Sequence, residues 1–140
     1  MSVDRSVFWD DLAEDLKDPQ FRREYVLESL RIETIDRLIN ALDDAREAAK
    51  VSKAELARAI GAEPATVRRL LSAGRVNPTL GTLSEVAAAL GLRISIEPLP
   101  PDDEQQVVAS LRGVGSVDTQ TLAAYLEGIR DKGSTDPALT

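Results

Sequence analysis

Residues 52–74, SKAELARAIGAEPATVRRLLSAG, constrain this chain more than any other stretch. Ser52 and Glu55 have the spacing of a capping box, in which a serine hydroxyl and a glutamate carboxylate satisfy each other's backbone N–H groups. Leu56 and Ile60 give the following helix an inward face. Gly61 sits where a left-handed residue would end it. Pro64 then stands at a first helical position, with its φ fixed and no N–H to leave unpaired. Val67, Leu70 and Leu71 supply the buried face of the second helix, and Gly74 stops it. Helices this short are stable only when others cover their apolar sides.

The neighbouring segments supply that cover. Over residues 33–49, Ile35, Leu38, Ile39, Leu42, Ala45 and Ala49 form one apolar face of a helix. After N-P-T-L at 77–80, the stripe Leu80, Leu83, Val86, Ala87 and Leu90 predicts a further helix ending at Gly91. Leu92, Ile94 and Ile96 then alternate with Arg93, Ser95 and Glu97, a short strand signal. The expected fold is all-α, with four to five helices in the central domain, a short strand after it, and helical arms on either side. Three segments follow: an acidic, aromatic N-terminal arm at 1–31, the central domain at 32–97, and a proline-rich linker with an acidic helical segment at 98–140. In the first arm a helix over 8–17 breaks at Asp18-Pro19, because a residue before proline is pushed out of the helical region. A second helix begins at Pro19. In the last segment, helices are expected over 102–111 and 118–130, with a frayed end.

Net charge is -7, and its distribution matters more than its sum. Residues 1–49 carry -6, residues 50–93 carry +4 and residues 94–140 carry -5. A basic centre between acidic flanks can hold phosphates locally. Histidine and cysteine are absent, which removes disulfides, thiolate nucleophiles, Ser–His–Asp arrangements and the common zinc ligand sets. The carboxylates Asp10, Asp11, Asp43 and Asp44 have the spacing of solvated helix faces. No enzyme, cofactor or metal site is expected. No apolar run reaches the roughly 18–20 residues of a membrane span, and the first residues do not read as a leader, so a cytoplasmic protein is expected.

Two short helices around a tight turn, with arginines on the second, are the layout that places a helix in the major groove of DNA. Glu63, Ala65, Thr66, Arg68 and Arg69 are the candidate base readers. An arginine can make a bidentate contact to guanine, Thr66 or Ala65 can meet a thymine methyl, and Glu63 can accept from cytosine. Lys53, Arg75 and Thr79 are candidates for phosphate. The runs SKAELARAIG, PATVRRLL and NPTLGTLSEVAAALG together resemble the Cro/C1-type (XRE) helix-turn-helix family, and are similar to the HigA-like antitoxins. The resemblance spans about residues 33–97. It implies a lambda-repressor-like domain, double-stranded DNA as a partner, and a transcriptional repressor acting as a dimer on a palindromic operator. It also implies a small basic toxin as a protein partner. Two positions depart from the family pattern: Lys53 replaces a common glutamine, and Leu71 replaces a common acidic residue.

Four of the five aromatics, Phe8, Trp9, Phe21 and Tyr25, lie in the first 25 residues. They either fold back onto the chain's own helices or form a partner interface. Leu92, Ile94 and Ile96 are the candidate dimer interface, through strand pairing. The C-terminal stripe Val117, Leu122, Tyr125, Leu126 and Ile129 can cover a core or support a dimer. The competing reading is a protein-interaction module that masks a partner, with DNA binding secondary.

Overall fold

The computed structural model describes residues 5–72 and 77–134. Seven helices are present among them: α1 (Arg5–Asp15), α2 (Pro19–Ala48), α3 (Lys53–Ile60), α4 (Pro64–Leu70), α5 (Leu80–Ala89), α6 (Pro101–Arg112) and α7 (Thr119–Ser134). The chain forms two compact units. One combines the two ends, Met1–Glu33 and Glu97–Thr140, and the other is Thr34–Ile96. No helix among the described residues is long and apolar enough to cross a membrane.

The break at Asp18-Pro19 is present. Asp18 closes one helix and starts the next: its carboxylate accepts from the Gln20 N–H at 3.1 Å, and its carbonyl accepts from the Arg22 N–H at 2.9 Å. The guanidinium of Arg22 donates back to the Leu16 carbonyl at 3.0 Å, tying the start of α2 to the end of α1. From there α2 runs unbroken for 30 residues. Residues 20–50 contain neither glycine nor proline, so no local breaker interrupts it. Its early turns bury Val26 in the first unit, and its later turns bury Ile39 and Leu42 in the second.

In the terminal unit, Leu12, Leu16, Val26, Val107, Leu122, Leu126 and Ile129 form the core. The stripe on α7 therefore covers a core within its own chain. Phe21 and Tyr25 are half-buried against the same cluster. Their rings lie 5.5 Å apart, and the Arg130 guanidinium sits 4.3 Å above the Tyr25 ring. Arg130 also donates to the buried Ser29 hydroxyl at 2.9 Å, and the Tyr25 hydroxyl donates to Glu127 at 2.8 Å. Burial, and then this bond to Glu127, push the Tyr25 phenol up to about 12, against the lowering effect of Arg130. Tyr25 thus stays a neutral donor, and these bonds fasten α7 to the first half of α2. The start of α7 is held by α6: the buried Gln106 amide oxygen accepts from the Asp118 N–H at 2.9 Å. Asp118 in turn caps α7 by accepting from Gln120 and Thr121.

In the central unit, Leu56, Ala57, Val67, Val86 and Ala87 are almost closed to solvent and join α3, α4 and α5 to Ile39 and Leu42. The expected core is largely present, with two exceptions. Ala49 is exposed beyond the end of α2. Leu80, the first residue of α5, is 69% exposed, because the first turn projects past the packed stripe of Leu83, Val86 and Ala87.

The strand expected over residues 92–97 is absent among the described residues. An isolated strand has no partner for its backbone groups, and alternation alone cannot supply one. Within this segment only Ile94 packs against the core of the central unit.

Replacing Arg130 with alanine removes its bond to Ser29 and its stacking on Tyr25, leaving a buried hydroxyl unpaired. The expected loss is about 1–3 kcal/mol, measured by chemical denaturation of Arg130→Ala against the parent chain.

Candidate DNA interface

The local framework of the central unit is a series of closed helix ends. At the end of α2, Lys50 takes a left-handed backbone conformation (φ 58°). Its N–H bonds to the Glu47 carbonyl at 3.1 Å, and the Val51 N–H bonds to the Arg46 carbonyl at 3.1 Å. The Arg46 guanidinium reinforces this turn, donating to the Val51 carbonyl and to Asp43, both at 2.9 Å. Ser52 follows at once as the cap of α3. The Glu55 N–H donates to the Ser52 hydroxyl at 3.0 Å, and the Ser52 N–H donates to the Glu55 carboxylate at 3.2 Å. The Ser52 backbone donor first, and its hydroxyl second, hold the Glu55 carboxyl below its ordinary range. The capping box is formed as the sequence predicts.

Gly61 ends α3 with φ 69°, and the Ala62 N–H reaches the Ala57 carbonyl at 2.9 Å. Only two residues then separate this turn from Pro64, the first residue of α4. Glu63 occupies the cap position of α4 but makes no side-chain capping bond, so its carboxylate is exposed in front of the helix.

With Val67, Leu70 and Leu71 turned inward, helical spacing leaves Ala65, Arg68, Arg69 and Ser72 along one exposed stripe. Thr66 is half-buried at its edge. Neither arginine pairs with a carboxylate among the described residues, so both guanidinium groups remain available to an outside acceptor. Ser72 was not singled out from sequence. Its hydroxyl donates to the Arg68 carbonyl at 2.6 Å, so it finishes the helix backbone. Leu71 lies in the core, which explains why no acidic side chain stands there.

Lys53 is the first residue of α3 and is half-buried beside the cap. Thr79 caps α5, accepting from the Thr82 N–H at 3.1 Å, so its hydroxyl is already engaged in the fold. Arg75 lies outside the described residues. Of the candidate aromatic interface, Phe21 and Tyr25 pack within their own unit, Phe8 is 44% exposed, and the Trp9 side chain lies outside the described part. Asp10 and Asp43 also have structural partners: Asp10 accepts from Gln120 at 3.2 Å, and Asp43 pairs with Arg46.

Residues 42–96 match the family described as Helix-turn-helix. That match begins inside α2 and spans α3, α4 and α5. It supports a DNA-binding transcriptional regulator of the XRE type. No curated protein and no solved structure matches the chain.

The local framework can be checked at two positions. Lys50→Gly should stabilise the chain by about 0.5–1 kcal/mol, since glycine takes the left-handed region without steric cost. Ser52→Ala should cost about 1 kcal/mol. A carboxyl held below its ordinary range contributes stability above that range and loses it as pH falls through the lowered value. Ser52→Ala keeps the backbone donor and removes only the hydroxyl's share, so its deficit in thermal unfolding should shrink slightly on acidification.

Proposed function

We propose that this chain is a sequence-specific repressor that binds a palindromic operator as a homodimer, with α4 in the major groove. The exposed stripe of Ala65, Arg68 and Arg69, within a domain matched to the helix-turn-helix family, carries this reading. Arginine suits the task because its planar fork matches the two acceptors on a guanine edge. Lys53 at the start of α3 supplies a point charge for phosphate. Two-fold symmetry would set two α4 helices about 34 Å apart, one turn of DNA.

Charge supports the same division of labour. Thr34–Ile96 holds 9 basic and 7 acidic residues, a net +2, whereas the terminal unit holds 8 basic and 17 acidic residues, a net -9. Phosphate attracts the first unit and repels the second. The terminal unit is instead a surface for a basic protein, with Phe8 as the exposed aromatic among its described side chains. A small basic toxin of the kind that HigA-like antitoxins neutralise fits it, and the chain would then repress its own operon. The Helix-turn-helix match favours the repressor over a module whose main task is masking a partner.

Binding to the DNA upstream of the protein's own gene, titrated against salt, tests the reading. Affinity should fall steeply as salt rises and should exceed that for random sequence; equal affinity for both, even at low salt, removes the repressor. Arg68→Ala and Arg69→Ala should each cost about 1–3 kcal/mol and relax base preference. Lys53→Ala should weaken binding to all sequences alike and flatten the salt slope. Co-expression with neighbouring genes tests the second partner: a complex with a small basic protein, weakened by Phe8→Ala, is the expected result.

A further inference from the structure

We infer that residues 92–97 pair with the same residues of a second copy as an antiparallel ribbon, in a single register centred on Ser95. The inference rests on the homodimer reading above and specifies its interface. Alternation places Leu92, Ile94 and Ile96 on one face of an extended segment. Ile94 is seated against the core of the central unit, while Ile96 is 100% exposed and Leu92 46% exposed. The apolar face is thus anchored at its middle and left uncovered towards both ends.

Backbone parity selects the edge that pairs. In an antiparallel ladder, alternate residues present both their N–H and C=O groups to the partner. The Leu92 N–H is already bonded to the Ala87 carbonyl at 2.8 Å, and Pro98 has no N–H. Both belong to the even-numbered set. The odd set, Arg93, Ser95 and Glu97, makes no backbone hydrogen bond among the described residues. This is the edge available to a partner strand.

Charge selects both the occupant and the register. Two-fold pairing about Ser95 sets Arg93 opposite Glu97 of the second copy, twice by symmetry, and Ile94 opposite Ile96. Centring on Arg93 brings two arginines together. Centring on Ile94 or Ile96 loses the opposite-charge pairs. A centre between residues sets apolar side chains against polar ones. The hexapeptide LRISIE is therefore complementary to itself in one arrangement. In that arrangement the two isoleucine pairs fall at the closely spaced positions, where side chains approach best.

The chain has no cysteine, so Ser95→Cys introduces a single thiol. In the proposed register the two Cα atoms face each other about 5.5 Å apart, within the range of about 4.4–6.8 Å that a disulfide spans. Mild oxidation of the full chain should give a covalent dimer for Ser95→Cys, and none for the exposed Ser84→Cys control on α5. By sedimentation, Arg93→Glu and Glu97→Arg should each weaken self-association roughly three- to tenfold, and the double reversal should restore it. A Ser95→Cys chain that stays monomeric on oxidation overturns the ribbon, as does a double reversal that fails to restore assembly. If the parent chain binds its upstream DNA while Ser95→Cys does not cross-link, the ribbon fails and the repressor stands. Cross-linking without sequence-specific DNA binding gives the converse.

Discussion

The meeting of Ala57, Val67 and Val86, all at or within 1% of complete burial, fixes which side of α4 faces outward. These small side chains let α4 and α5 each pack closely on α3, and close packing tolerates few alternative arrangements. Once Val67, Leu70 and Leu71 are committed inward, helical spacing leaves Arg68 and Arg69 on the free side. α4 is only 7 residues long, too short to be stable alone. Its position is set by its neighbours and by the turn at Gly61, and the exposed stripe depends on that packing.

The second organising constraint is electrostatic. A chain with net charge -7 is an unpromising phosphate binder if its charge is averaged over its surface. Folding collects both acidic ends into one unit and leaves the arginines of α4 in the other. The terminal unit keeps that acidity at its surface: its core is aliphatic, and its described acidic side chains are mostly exposed. The buried polar residues there, Ser29, Gln106 and Ser110, are hydrogen-bonded, as buried polar atoms must be if they are not to cost stability, whereas the buried Nε of Arg22 has no partner among the described residues.

Features written within a few residues were legible in the sequence. The capping box at Ser52 and Glu55, the left-handed Gly61, the proline opening α4 and the break at Asp18-Pro19 all follow from local chemistry. The structure has each of them. What local rules could not reach involved partners distant in sequence or a choice against preference. The Tyr25 bond to Glu127 spans 102 residues, so nothing near Tyr25 indicates that α7 covers it. Lys50 carries no signal for its left-handed conformation; the Arg46 side chain and the turn into Ser52 hold it there. The continuity of α2 was hidden by its changing apolar face, which turns towards one core at Val26 and the other at Ile39. For the proposed base readers, the sequence marked α4 and its arginines as candidates. The fold then separated exposed Arg68 and Arg69 from half-buried Thr66, and has the Thr79 hydroxyl accepting from the first turn of its own helix.

The segment at 92–97 shows how a strand pattern and a strand differ. Alternating isoleucines describe a surface that suits a pleated ribbon, but a ribbon exists only where its backbone groups have partners. Within one protomer none is offered: the α5 terminus takes the Leu92 N–H, and the proline at 98 interrupts the same edge. Both events fall on one side of the chain, so they shape the segment as well as terminating it. They leave an edge with its donors and acceptors intact and an arrangement of charges that fits its own inverse. The alternation in LRISIE is then consistent with both observations: in the proposed ribbon it is the pattern of a strand that forms only on assembly, and in the single chain that strand is absent among the described residues.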